Sequence, residues 1–127
     1  MYTSEFCDVG YCKELDAVLC TWKQFCRGDD YRDPLRHGLE LLQNTDCKNW
    51  ITDTENGFES TPEDTQWLLE CFIPETLSTN CKNLFFLIAP DSPLRGEIRA
   101  QAEALKELFN VTLLDNLDAL HQSKSFE

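Results

Sequence analysis

The chain has 127 residues, the usual size of one domain, and 42% of them are apolar, which is enough to build a core. Eleven basic residues against twenty-three acidic ones leave a net charge of −12, and no run of lysine and arginine interrupts the acidic background. Affinity for nucleic acid and for anionic membrane surfaces comes from neutralising phosphates, so the charge argues against both as partners.

The opening third of the chain predicts an antiparallel hairpin followed by a helix. A first strand covers residues 2–9 and ends at a turn near Gly10, and a second strand covers residues 17–25. Apolar residues recur at helical spacing over residues 31–42, so this helix has one apolar face. We expect Pro34 to lie in the first turn, because proline further inside a helix removes a backbone hydrogen bond.

A short third strand and a capped helix come next. Residues 50–52 form the strand, and Asp53 stands at its C-terminal end. Thr61 is a good N-cap for a helix that continues to about residue 77, with Pro74 bending it or ending it early.

The remaining elements are a buried strand, a helix, another strand and a short last helix. Residues 84–89 are apolar on both alternating faces, as in a central strand covered on both sides. A helix over residues 94–109 follows, then a fifth strand over residues 111–114 and a helix over residues 116–121. Residues 123–127 form a frayed tail.

The predicted order is β-β-α-β-α-β-α-β-α. Alternating strands and helices are typical of a largely parallel sheet with right-handed crossovers, and the opening hairpin makes the sheet mixed. We therefore predict one α/β domain over residues 1–122, built on a single mixed sheet of about five strands and containing no internal repeat.

Features of location and redox state point to the cytoplasm. The N-terminal segment has neither a basic region nor an apolar run, so we expect no signal peptide. The longest apolar stretches, such as residues 84–90, are too short to cross a bilayer, so we expect no membrane insertion. The seven cysteines form an odd set without a C-x-x-C pair, which favours reduced thiols without a structural metal.

No catalytic constellation is visible in the sequence. The two histidines, His37 and His121, have no cysteine placed to form a catalytic pair with them. The G-x-S-x-G elbow of serine hydrolases and the glycine-rich loops that bind nucleotides are both missing. We therefore predict a protein that is not an enzyme, with no catalytic residues, no metal and no cofactor.

One location favours a binding or regulatory role. Asp53 closes the third strand, and Ser60 and Thr61 precede the next helix, at the sheet edge where ligands and partners of open α/β folds bind. A phosphate on Ser60 or Thr61 would gain from the free amides of the helix start. The alternative is that Thr61 is only an N-cap, worth about 1 kcal/mol.

The predicted order resembles the STAS domain (sulfate transporter and anti-sigma factor antagonist), in particular its small stand-alone bacterial members. The resemblance covers nearly the whole chain and is carried by Leu19–Trp22 with Phe25, the helix Tyr31–Leu42, Trp50–Asp53, Thr61–Leu68, Phe85–Ile88 and the segment from Leu94 onward.

The resemblance implies a non-enzymatic switch. In anti-sigma factor antagonists a kinase phosphorylates a serine between the third strand and the second helix, and the partner complex dissociates. Ser60 and Thr61 correspond to that position, with Pro62 where the family has glycine. We therefore expect a protein-interaction module with its partner surface around Asp53, Ser60 and Thr61, and a homodimer is left open. The alternative is a small-molecule or lipid-binding domain of CRAL-TRIO-like character, which would need an internal apolar cavity.

Overall fold

The computed structural model describes residues 2–54, 61–88 and 95–114. The strands are β1 (Tyr2–Thr3), β2 (Cys7–Cys12), β3 (Ala17–Trp22), β4 (Asn49–Asp53), β5 (Asn83–Leu87) and β6 (Asn110–Leu114). The helices are α1 (Asp29–Thr45), α2 (Pro62–Trp67), a π-helical turn (Leu68–Phe72), α3 (Ile73–Leu77) and α4 (Arg95–Leu105).

One mixed sheet of six strands organises the fold, with its strands in sequence order from β1 to β6. The pairs β1–β2 and β2–β3 are antiparallel, and β3, β4, β5 and β6 are parallel to one another. The predicted α/β class with a mixed sheet is thus confirmed, although the sheet has one strand more than expected.

The extra strand comes from the opening hairpin. Residues 2–9, predicted as one strand, contain all of β1, a turn and the start of β2. Ser4 makes this turn, because its side-chain oxygen accepts hydrogen bonds from the backbone amides of Phe6 and Cys7. The turn predicted near Gly10 is wrong: Gly10 lies inside β2, opposite Leu19, and the chain reverses at residues 13–16.

All the described helices pack against one face of the sheet. Each parallel crossover moves one strand further in the same direction, and right-handed crossovers of this kind place successive helices on the same side. The larger core cluster joins these helices to alternate strand residues such as Trp22, Trp50 and Phe86. A smaller cluster on the opposite face contains Ile51 and Phe85 and takes no residue from a described helix. Strand β5 is therefore apolar on both faces, as predicted, although it lies next to the edge strand β6 and not at the centre of the sheet.

Helix α1 accommodates its proline in a way the sequence did not indicate. The helix begins directly after Gly28, whose φ of 63° combined with a ψ of −135° is readily available only to glycine, so Pro34 is its sixth residue and not part of the first turn. The missing N–H would have bonded to the carbonyl of Asp30, an exposed residue that water can reach. The ring of Pro34 is buried, so it adds to the packing of α1.

The segment from α2 to α3 is one continuous helical run that widens before its proline. Thr61 caps the run and Pro62 is its first residue, as the sequence predicts. The amide of Ile73 donates to the carbonyl of Leu68, five residues back, in a π-helical turn. This turn precedes Pro74, so the helix passes the proline by widening and does not end there.

The last predicted elements lie outside the described residues. They are the helix at residues 116–121 and the tail at residues 123–127. Within residues 2–54, 61–88 and 95–114, no helix has both the length and the apolar composition needed to cross a bilayer.

Candidate functional site

Asp53 occupies the end of β4, between Thr21 of β3 and Leu87 of β5. The chain leaves β4 in a fixed direction, because both the amide and the hydroxyl of Thr54 donate to the carbonyl of Leu87, at 3.0 and 2.7 Å. Thr54 is buried, so this contact fastens the C-terminal ends of two neighbouring strands to each other. Asp53 itself is half-buried at the sheet edge that the sequence indicated.

Thr61 is a helix cap whose hydroxyl is used twice. Its oxygen accepts from the amide of Asp64 at 3.1 Å, and its hydrogen is donated to the Asp64 carboxylate at 3.0 Å. The capping role predicted as the alternative is therefore confirmed for Thr61. Ser60, the other predicted hydroxyl, lies outside the described residues.

Asp64, at the start of α2, is a residue of this candidate site that was not predicted from the sequence. It is only 1% exposed, and its carboxylate accepts hydrogen bonds from the amide of Gly28 and from Nε of Arg32, both at 2.9 Å, as well as from Thr61. Burial alone would raise the pKa of Asp64, but these donors and the charge of Arg32 hold the pKa below its ordinary value. Asp64 thus joins the start of α1 to the start of α2.

The guanidinium group that pairs with Asp64 is also held by an aromatic ring. Arg32 lies 5.3 Å from the ring centre of Trp67, and Arg36 of the same helix lies 5.4 Å from it. The pattern Thr61-x-x-Asp64 is the one signal in the sequence that points to this arrangement, since it is typical of a helix start in which each of the two side chains accepts from the backbone amide of the other residue. The contacts to α1 span more than thirty positions and have no local signature.

The opposite ends of the parallel strands carry a ladder of asparagines. Nδ2 of Asn83 donates to Oδ1 of Asn49 at 2.9 Å, and Nδ2 of Asn110 donates to Oδ1 of Asn83 at 3.0 Å. Asn49, which is 3% exposed, donates to the carbonyls of Leu15 and Asp16 just before β3. The first residues of three successive strands are therefore joined side chain to side chain. We call these three asparagines the amide ladder.

A short repeated segment supplies two of the three asparagines of the amide ladder, contrary to the prediction of no internal repeat. The pattern Thr-x-Cys-Lys-Asn occurs at residues 45–49 and again 34 positions later at residues 79–83. In both copies the threonine hydroxyl accepts from the cysteine amide, at 3.3 and 3.2 Å, and the thiol lies 3.8 Å from the asparagine carbonyl. The signal is visible in the sequence once the two copies are aligned on their asparagines.

Among the described residues, the parallel side of the sheet ends at β6, and no strand lies beyond it. The amide of Asn110 donates to Lys82, and the carbonyl of Leu114 accepts from Ile88, so these two residues turn their backbone groups toward β5. Backbone groups alternate in direction along a strand, so those of Val111 and Leu113 point away from the sheet. No strand among the described residues pairs with this side of β6. A groove of about 460 Å³ runs along it, between β6 and the outer side of α4.

The core cavity that the described residues line is small. The cavity lined by Trp22, Trp50 and Phe86 holds about 40 Å³, which is room for a few water molecules at most. Glycine at position 38 contributes to this tightness, because a Cβ there would overlap the indole ring of Trp50. Helix α1 therefore packs directly on the ring.

The buried thiols have the properties of core residues. Burial raises the pKa of Cys26 and of Cys81 to about 12, and burial raises the pKa of Cys20 as well. The thiolate, which is the reactive form, is disfavoured at these positions. Within the described parts of the chain, no three histidine, cysteine or acidic side chains are grouped so that they could hold a metal ion.

Comparison with known proteins adds no relative. No protein-family model matches the chain, and neither a curated protein nor a solved structure matches it. The resemblance to the STAS domain thus stays a prediction, and the function has to be argued from the geometry.

Proposed function

We propose that this chain is a non-enzymatic protein-interaction module that docks an extended segment of a partner protein along the outer edge of β6. The observation that carries the proposal is the open parallel edge itself, five residues long, with the backbone groups of Val111 and Leu113 directed outward. An added strand satisfies such groups with main-chain hydrogen bonds, which is a recurrent way of binding peptides.

The two edges of the sheet differ in a way that supports this assignment. The edge strand β1 has only two residues, which is one of the devices by which proteins protect a sheet edge from pairing with other chains. Strand β6 is longer, contains no proline and has no bulge in its register with β5. A long edge without protection is an aggregation hazard unless a partner uses it.

The groove beside β6 adds a place for side chains. Val111 and Leu113 extend from the core cluster into its floor, and the salt bridge between Lys106 and Glu103, at 2.8 Å, stands on its wall. An apolar floor with a polar wall is the composition of a specific protein interface. A docked strand would place alternate side chains in this groove.

Two other roles receive less support. A lipid or small-molecule carrier needs a pocket of at least about 300 Å³, against about 40 Å³ in the core cavity. A switch through Thr61 would first have to break both of its hydrogen bonds to Asp64. Regulation like that of anti-sigma factor antagonists would therefore act through Ser60.

Val111→Pro tests the proposed docking edge. Proline at this position removes one outward amide without removing any hydrogen bond to β5, and it is tolerated on edge strands. Val111→Ala is the matched control, since it loses a similar side chain but keeps the amide. In affinity capture from the native cells, we expect Val111→Ala to retain the partners of the wild type and Val111→Pro to lose them at least tenfold.

Equal capture by the two variants would contradict docking at β6. A dimer of the purified wild type that Val111→Pro dissociates would assign the edge to a second copy and overturn the proposal of a separate partner. Amide exchange in the free protein tests the remaining possibility, that another part of this chain occupies the β6 edge. If the edge is free, we expect fast exchange at Val111 and Leu113 and slow exchange at Thr112 between them. Slow exchange at all three would mean that the chain covers its own edge.

A further inference from the structure

The amide ladder has a direction. Asn49 donates to backbone carbonyls before β3, Asn83 donates to Asn49, and Asn110 donates to Asn83. Each asparagine thus donates its amide hydrogens toward the preceding strand, and its oxygen can accept from the following strand. Asn110 is the last member, and no described residue donates to its Oδ1. The next position in the ladder would be filled by a donor.

The backbone repeats with the same register. The amide of Asn83 donates to the carbonyl of Lys48 at 3.0 Å, and the amide of Asn110 donates to the carbonyl of Lys82 at 2.9 Å. In each case the asparagine of one strand bonds to the residue that precedes the asparagine of the strand before it. One further step would place the amide of an incoming residue on the carbonyl of Phe109.

Only a parallel strand continues both series. Parallel pairing keeps residues of the same rank side by side with evenly spaced hydrogen bonds, whereas an antiparallel strand alternates between two kinds of pair. A carboxamide fits the ladder position best, because it donates to Oδ1 of Asn110 while its own oxygen remains free to accept. A carboxylate can only accept and would face the Asn110 oxygen, and an aliphatic side chain would leave that oxygen without a donor.

The helix-facing side of the sheet determines which residue types are favoured after the asparagine of an added strand. After each asparagine of β5 and β6, the first and third residues point to the helix side, as Leu84 and Phe86 or Val111 and Leu113 do. On an added strand the same two positions would lie over the groove beside α4. Apolar side chains are therefore favoured there.

We infer that the partner segment runs parallel to β6 and presents the pattern Asn-apolar-x-apolar, with its asparagine in register with Asn110. The inference rests on the proposed function, because it specifies the strand that the β6 edge receives. The recognised chemistry is an extended peptide with a carboxamide at its start, not a phosphopeptide or a helix.

A peptide taken from this chain serves as the probe. It has the sequence of residues 45–54 with Cys47→Ser and Thr52→Val, so that Asn49, Trp50 and position 52 match the pattern, and a fluorophore on its N-terminus reports binding by anisotropy. The matched control peptide carries Asn49→Leu in addition. We expect the control to bind the wild-type protein about tenfold more weakly, since it loses the hydrogen bond to Oδ1 of Asn110.

The Asn110→Leu variant completes a double-mutant cycle. We expect it to bind the asparagine peptide about tenfold more weakly than the wild type does and to make no further difference to the Asn49→Leu peptide. A spin label on the peptide N-terminus should broaden the amide signal of Asn110 more than that of Leu114, which establishes the parallel direction.

The outcomes separate the two proposals. Equal affinity of both peptides would overturn the asparagine requirement, and stronger broadening at Leu114 would overturn the parallel direction. If neither peptide binds while Val111→Pro still loses the cellular partner, the inference fails and the docking edge stands. If Val111→Pro keeps the cellular partner, the proposed function itself fails.

Discussion

The two ends of the parallel strands are built on different principles. At the starts, Asn49, Asn83 and Asn110 repeat one contact in one register, so each strand is joined to its neighbour in the same way. At the C-terminal ends, a single buried carboxylate, Asp64, accepts hydrogen bonds from Gly28 and Arg32 at the start of α1 and from Thr61 at the start of α2. A repeated contact can be extended by another strand, whereas a convergent contact is closed. The binding role therefore fits the sheet edge where the ladder remains open.

The largest effect is expected for Asp64→Asn, which tests how far the contacts at the C-terminal ends of the strands depend on one charge. The amide replaces an acceptor for Gly28 and Arg32 with a group that is itself a donor on one side, in a site that is 1% exposed. We expect a loss of about 3 kcal/mol in the free energy of unfolding, measured by urea denaturation at neutral pH. Asp29→Asn, at an exposed acidic position at the start of α1, is the control.

The same variant gives a pH dependence of known sign. Because the folded-state pKa of Asp64 is lowered, its stabilisation is fully present above the unfolded-state pKa of about 4 and is lost as the pH falls through the folded-state value. The stability difference between wild type and Asp64→Asn should therefore shrink below about pH 4. A difference that stays constant down to acid unfolding would mean that the charge contributes nothing.

A smaller effect is expected for Asn83→Leu, which interrupts the amide ladder at its middle member. The change removes the donor to Asn49, a buried residue, and the acceptor of Asn110. We expect a loss of about 1–2 kcal/mol. Asn110→Leu removes a single hydrogen bond at an exposed position and should cost about 0.5 kcal/mol by the same measurement. Equal losses at both positions would show that the two hydrogen bonds of Asn83 stabilise the fold no more than the single hydrogen bond of Asn110 does.

Sequence reasoning performed differently on the two ends as well. Local rules place the cap at Thr61 and the end of a strand at Asp53, because helix starts and strand limits depend on a few neighbouring residues. They cannot place Arg32 against Asp64, since that contact depends on how two helices pack. The amide ladder was within reach, because the repeat of residues 45–49 at residues 79–83 is written in the sequence. It was missed because only two copies exist, and the third asparagine, Asn110, lacks the flanking pattern.

The strand count shows the limit of a periodic pattern. Residues 2–9 have the composition of a strand, but Ser4 offers the backbone a local alternative by accepting from two amides. This local bond outweighs the alternation of residue types and divides the strand. The class of the fold follows from the order of elements, and its finer division follows from individual hydrogen bonds.

An effect of at most about 1 kcal/mol is expected at Thr61, where substitutions separate capping from support of the buried charge. Thr61→Ser keeps both hydrogen bonds and should change the free energy of unfolding by less than about 0.5 kcal/mol, whereas Thr61→Ala removes both and should cost about 1 kcal/mol. Thr61→Asp is the decisive variant. Aspartate is as good an N-cap as serine, so capping alone predicts no loss.

The surroundings of Thr61 predict a different result for that variant. The new carboxylate has no hydrogen to donate to Asp64, and it would stand beside a buried negative charge. We therefore expect Thr61→Asp to lose about 1 kcal/mol relative to Thr61→Ser at neutral pH, in urea denaturation. Lowering the pH toward 4 should narrow the gap as the carboxylates take up protons. A Thr61→Asp protein as stable as Thr61→Ser would mean that the hydroxyl hydrogen is dispensable. A phosphate at this position would then be compatible with the hydrogen bonds around Asp64.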